Sequence, residues 1–152
     1  MQQSIVITAT RELSEREISP ITPNWILAGK PEARAQLLAK SHDGFAYMMQ
    51  WECTAGHFNW HYTEDETVIV LSGEVFISQN GEERRLGAHD MAHFPAGSSC
   101  TWRVPDRITK IAIMRKPLPF WIGLAVRAWN KLTRVVGLEA KGSPLMSATR
   151  RS

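Results

Sequence analysis

With 152 residues, 43% of them hydrophobic and 22% charged, the chain has the length for one domain with its own core and lacks the polar bias of a disordered protein. Its two cysteines, Cys53 and Cys100, are too few for a disulfide framework, and residues 1–10 show no basic stretch followed by a long apolar run. Both features favour a reducing cytoplasm as the expected compartment. The most apolar stretch, 118–126, ends at Arg127, well short of the roughly 20 residues a spanning helix needs.

The net charge of +3 is unevenly spread: residues 1–102 hold 7 basic and 13 acidic side chains, and residues 103–152 hold 11 and 2. A basic end of this kind reads first as a solvated face complementing an acidic body. No aromatic-interleaved RNA motif or helix-turn-helix pattern accompanies it, so nucleic acid is not an expected partner.

In chain order, residues 4–8 (SIVIT) alternate and are predicted as a short strand. Residues 13–23 are polar and broken by Pro20 and Pro23, which predicts irregular chain wrapping a sheet edge. From Phe45 the apolar period becomes 2, with strands predicted at 45–54, 58–62, 66–71, 74–78, 83–86, 91–94, 100–104 and 110–114. Turn signals separate them: Ala55-Gly56, Ser72-Gly73, Asn80-Gly81, Gly87, Pro95-Ala96-Gly97 and Pro105-Asp106. Asn80-Gly81 is the strongest, since both residues tolerate the positive φ of a tight hairpin. Many short strands at near-regular spacing imply an antiparallel sandwich or barrel.

Beyond Pro117 and Pro119 the period changes. Trp121, Leu124, Ala125, Ala128, Trp129, Leu132, Val135 and Val136 recur at offsets of 3 and 4, opposite Arg127, Lys131 and Arg134. That is one face of an amphipathic helix, with Gly137 as its stop. The resulting organisation is an N-terminal strand and wrapping segment (1–44), a barrel core (45–116), a helix (117–138) and a tail expected to be disordered (139–152).

Glu66 stands seven residues before Gly73 in ETVIVLSG, and Pro95-Ala96-Gly97 follows. With Trp51, Gly56, Phe58, Trp60, Leu71, Glu74, Asp90, Trp102 and Lys110, this ordered set resembles the cupin superfamily. More narrowly, it is similar to small cupins related to ureidoglycine aminohydrolase and to a cupin of ethanolamine utilisation. The resemblance implies an all-β fold, a double-stranded β-helix or jelly-roll barrel, to which this chain adds its C-terminal amphipathic helix. It also implies a homodimer, since cupins commonly pair through their sheets. Fold follows from such a resemblance more securely than activity does.

A cupin metal is held by three histidines and a carboxylate. Here the first two histidine positions fall on Trp60 and Tyr62 and the third on Cys100, leaving Glu66 as the one match. No cofactor is therefore expected. A divalent ion (manganese, iron, nickel, copper or zinc) would need the alternative set His61, Glu66 and Cys100. Strand alternation opposes it: Phe58, Trp60 and Tyr62 share one face, and His57, Asn59 and His61 the other. His89, where the second motif carries glycine, reads as a turn residue, and His93 as exposed.

With the aromatic face inward, the barrel is expected to offer Trp60, Tyr62, Glu66, Cys100, Trp102 and Lys110 to a small polar metabolite, or else to be filled by these same side chains. Lys110, between hydrophobic neighbours, needs a partner if buried, and Glu66 is the candidate. Glu66 is also the best candidate for a catalytic residue, although no nucleophile-plus-base set accompanies it. The expected function is small-molecule binding without the usual metal site. The alternatives are a metal-dependent hydrolase of a ureido- or amidine-type metabolite, and a scaffold or peripheral membrane-surface protein working through its helix.

Overall fold

A computed structural model of the chain describes residues 5–7 and 16–135. Among the described residues, 5–7 of the stretch predicted as a strand belong to none. Ser4, Thr8, residues 13–15, Val136, the Gly137 stop and the tail 139–152 lie outside the described residues.

The segment 13–23 read as irregular wrapping chain holds one short strand, and two more follow before Phe45 where none was predicted. β1 (Glu17–Ile18), β2 (Ile26–Gly29) and β3 (Ala33–Lys40) flank a short 3-10 turn at Pro23–Trp25. Pro23 begins that turn, where a missing N–H costs nothing. The two pairs of strands predicted across Ala55-Gly56 and Pro105-Asp106 are instead two long strands, β4 (Ala46–His61) and β9 (Ser99–Arg115). Those turn signals mark a register shift between Thr54 and Gly56 in the β4–β9 ladder, a bulge that bends both strands without reversing them. The other strands, β5 (Asp65–Gly73), β6 (Val75–Gln79), β7 (Glu82–Leu86) and β8 (Met91–Phe94), lie close to their expected positions.

Because β4 and β9 pair along their whole length, each half joins a different set of neighbours. The first half of β4 pairs with β3, the second half of β9 with β5, and β5 with β8. The second half of β4 pairs with β2, the first half of β9 with β6, and β6 with β7. Two antiparallel layers thus share β4 and β9 at their corner, which is the jelly-roll arrangement. Ring contacts between the layers, such as Trp51 with Trp102 and Tyr62 with Phe94, show that their inner faces pack on each other.

Glycine is required where the layers turn. Gly73 has φ +76°, and a Cβ built there would lie 1.9 Å from the Arg107 carbonyl oxygen, so no side chain fits the end of β5. Asn80 (φ 53°) and Gly81 (φ 83°) close the β6–β7 hairpin, as their sequence demands. His89 also has a positive φ, 72°, in keeping with its reading as a turn residue.

The core joins Trp51, Phe58, Tyr62, Phe94 and Trp102 to Val68, Val70, Val75 and Ile108. The outer face of the β6–β7 layer is polar instead. There Arg103 bonds Glu83 at 2.7 Å and lies 4.0 Å from the Phe76 ring centre, while Arg85 bonds Glu74 at 2.6 Å. The helix α1 (Phe120–Val135) forms a unit of its own and begins three residues after the expected start at 117. No helix among the described residues is long and apolar enough to cross a membrane.

Candidate functional site: a packed interior and an open cleft

Strand alternation carries the sequence-predicted side chains inward. Tyr62, Glu66, Cys100, Trp102 and Lys110 are all buried, and Trp60 is partly buried against them. At the centre Lys110 Nζ donates to Glu66 Oε1 at 2.5 Å, with the two residues 4% and 3% exposed. The ammonium also lies 4.8 Å from the Trp51 ring centre and 4.6 Å from that of Trp102. A carboxylate and two aromatic faces thus compensate a charge that burial would otherwise penalise. The partner proposed for Lys110 from sequence is the one it has.

Around this pair the remaining groups are satisfied. Trp102 Nε1 donates to the Tyr62 hydroxyl at 3.0 Å, and Cys100 Sγ approaches the same oxygen at 3.8 Å. Tyr62 stacks on Phe94, ring centres 4.5 Å apart at 6°. Burial pushes the Tyr62 phenol and the Cys100 thiol up from their ordinary values. It lifts the Cys53 thiol to about 12, against the opposing charge of Lys110. All three groups therefore stay protonated at neutral pH, and neither thiol is poised as a nucleophile.

The donors needed for the usual cupin metal are missing from these positions. Trp60 offers no lone pair, Tyr62 keeps its proton, and Glu66 faces an ammonium at hydrogen-bond distance. A divalent ion there would meet Lys110 as a like charge, so the residues do not fit one. The alternative set is not brought together either. His61 is exposed, shares a hydrogen bond of 2.7 Å with Ser99 Oγ and packs on Trp25, on the strand face opposite Glu66 and Cys100. Among the described residues no group of three or more His, Cys, Asp or Glu is placed to hold a metal ion. His93, exposed as expected, is bonded to Thr67 at 2.9 Å.

The open space lies beside this interior. β7 and β8 are the outermost strands of the two layers and do not pair with each other. Between them is a cleft of about 580 Å³. Cross-strand register decides which residues enter it: Ile77 is opposite Trp102 on one side and Arg84 on the other, so all three point inward. Gln79 with Glu82, and Val75 with Leu86, repeat this pattern. The floor is Ile77, Leu86, Ala92 and Phe94, and the rim carries Gln79, Asn80, Glu82 and Arg84. Glu82 and Arg84 are exposed and bond each other at 3.1 Å.

None of the six residues expected to bind a ligand lines this cleft. They form the layer behind it, joined to its floor through the stack of Phe94 on Tyr62. The sequence carried one signal for the cleft: residues 82–85 read Glu-Glu-Arg-Arg, charged on both faces of a strand. Its inward face therefore cannot be core.

Known proteins place this geometry. Residues 40–112 match the family model described as the EutQ-like cupin domain. A crystal structure of a putative ethanolamine utilization protein Q from Salmonella typhimurium is similar at 24% identity, over 55% of this chain and 69% of that one, with a TM-score of 0.50. A protein of unknown function from Pseudomonas syringae is similar at 19% identity, over 67% of this chain and 45% of that one, with a TM-score of 0.61. A cupin-like protein from Thermotoga maritima is similar at 16% identity, over 69% and 81%, with a TM-score of 0.54. The present chain thus spans less than half the length of the Pseudomonas relative. None of the curated proteins matches it. Two layers sharing β4 and β9, the Glu66–Gly73 spacing and the matched family model lead to one conclusion: residues 40–112 are a cupin domain of the EutQ-like type on a jelly-roll fold.

Proposed function

We propose that the protein is a small-molecule-binding cupin that takes a small polar metabolite in the β7–β8 cleft and works without the usual cupin metal. The observation that carries this reading is the division of the barrel. Its centre is closed by the Lys110–Glu66 pair and the aromatic rings, while the cleft combines an apolar floor with charged groups free to reorient. That combination is how small-ligand sites gain both area and orientation. Arg84 supplies planar donors for a carboxylate, and Glu82 an acceptor for an amine. Phe94, braced by Tyr62, offers a flat surface against which a ring or an alkyl segment packs.

The test is a thermal-shift screen of a library of small carboxylates, amines and amides, repeated on Ala92→Trp, which fills the cleft from its floor. The expected result is at least one compound that raises the Tm of the native chain but not that of the variant. Hits that stabilise both proteins equally would move the site elsewhere. A library without hits would overturn the binding reading.

A further inference from the structure

The inward face of β7 is graded in polarity. Register with β6 turns Glu82, Arg84 and Leu86 into the cleft. An acid, a base and an apolar side chain therefore follow one another from the Asn80-Gly81 turn toward the floor, at intervals of about 7 Å along the strand. Glu83 and Arg85 alternate with them, face outward, and bond Arg103 and Glu74. Among the described residues that line the cleft, Glu82 and Arg84 carry the only formal charges, and they bond each other at 3.1 Å. The cleft thus presents one negative and one positive group side by side, without net charge, above its apolar floor.

We infer that the ligand of this cleft is a free α-amino acid with a large apolar side chain, which rests on the reading of the cleft as a small-molecule site. A carboxylate alone would draw Arg84 off Glu82 and set two negative charges together. An amine alone would take Glu82 and set its own charge against Arg84. A zwitterion gives both groups a new partner, so the exchange leaves no charge without a counter-ion. In an α-amino acid one carbon carries both charges, which suits an acid and a base held at neighbouring inward positions. The ammonium then meets Glu82 and the carboxylate meets the planar fork of Arg84. The order along β7 directs the third substituent. Beyond Arg84 the next inward residue is Leu86, so the side chain lies over Leu86, Ala92 and Phe94. Burial there contributes affinity that two exposed ion pairs do not supply by themselves. A peptide does not offer this head, since its first residue lacks the adjacent carboxylate and its last residue lacks the ammonium.

Isothermal titration calorimetry of the full chain tests this with three probes on one skeleton. They are phenylalanine, phenylalaninamide, which lacks the carboxylate, and N-acetylphenylalanine, which lacks the ammonium. Phenylalanine should bind about tenfold more tightly than either derivative. Alanine, without the ring, should bind at least about tenfold more weakly than phenylalanine. Glu82→Gln should bring phenylalanine down to the level of N-acetylphenylalanine, and Arg84→Gln should bring it down to that of phenylalaninamide. Both variants should keep the native Tm, because the pair they break is exposed, and Ala92→Trp should remove the binding of every probe. The inference is overturned if phenylalanine binds no more tightly than its derivatives or than alanine, or if its preference survives both charge substitutions. In those cases, binding that Ala92→Trp still blocks keeps the cleft as a ligand site. No binding of phenylalanine, or equal binding to Ala92→Trp, would overturn it too, and the library screen would then decide alone whether the cleft takes another small molecule.

Discussion

The centre of the barrel and the cleft at its edge are built from the same two layers, yet they treat charge in opposite ways. At the centre, one ammonium and one carboxylate are withdrawn from water and locked to each other between two indole rings. At the edge, Glu82 and Arg84 also point inward but remain exposed, bonded to each other. A buried pair is costly to break because the survivor is left uncompensated, whereas an exposed pair contributes little to stability. The centre is therefore committed to holding the fold, and the edge has groups to spare for a ligand.

The sharpest way to break this contrast is to remove one partner at the centre. Lys110→Met should cost about 3–5 kcal/mol, measured by urea denaturation, because Glu66 is left buried without its counter-ion. Adding Glu66→Leu to that variant should recover most of the loss, since the apolar pair needs no compensation. A single variant as stable as the native chain would mean that the pair is solvated. Trp102→Ala belongs to the same scale. It should cost about 3–5 kcal/mol, and the Tyr62 hydroxyl would also lose its donor.

Titration gives an intermediate effect. The Cys53 thiol rises from 9.0 to about 12 on folding, and burial moves Tyr62 in the same direction from 10.0. Above pH 9 the unfolded chain releases these protons while the folded one retains them. The unfolded state then binds fewer protons, and stability falls with rising pH. Denaturation midpoints should hold below pH 9, then drop toward pH 12 at up to about 1.4 kcal/mol per pH unit for each group. Cys53→Ala should flatten the onset of that drop. A midpoint constant to pH 11 would show that neither group is as enclosed as its packing indicates.

The smallest effect on stability is expected at the cleft. Arg84→Ala should change the unfolding free energy by no more than about 0.5 kcal/mol. The same substitution should weaken any anionic ligand that the screen finds by about tenfold, the value of one charge-assisted hydrogen bond. A large stability loss with unchanged binding would invert the assignment of the two regions.

How much of this was legible in the sequence follows the range of the interactions involved. The strands from β5 to β8 and the Asn80-Gly81 turn were readable because alternation and turn chemistry act over a few residues. The Lys110–Glu66 contact was reachable through one argument, that an amine between hydrophobic neighbours needs an acid. β3 was missed because its alanines and lysine blur the alternation, and because it owes its existence to pairing with β4. The continuous β4 and β9 were split because Ala55-Gly56 and Pro105-Asp106 look the same in a bulge as in a reversal. The cleft was out of reach for a different reason. Residues 82–86 and 91–94 are close in sequence, but only the long-range topology leaves β7 and β8 unpaired and facing each other.

One measurement tests the division of the barrel most directly: methyl chemical-shift mapping of the native chain during titration with hits from the metabolite screen. The account predicts perturbations centred on Ile77, Leu86, Met91 and Ala92, with Val68 and Val70 unmoved. Perturbations centred on Val68 and Val70, beside Lys110 and Glu66, would contradict it and place the ligand in the interior.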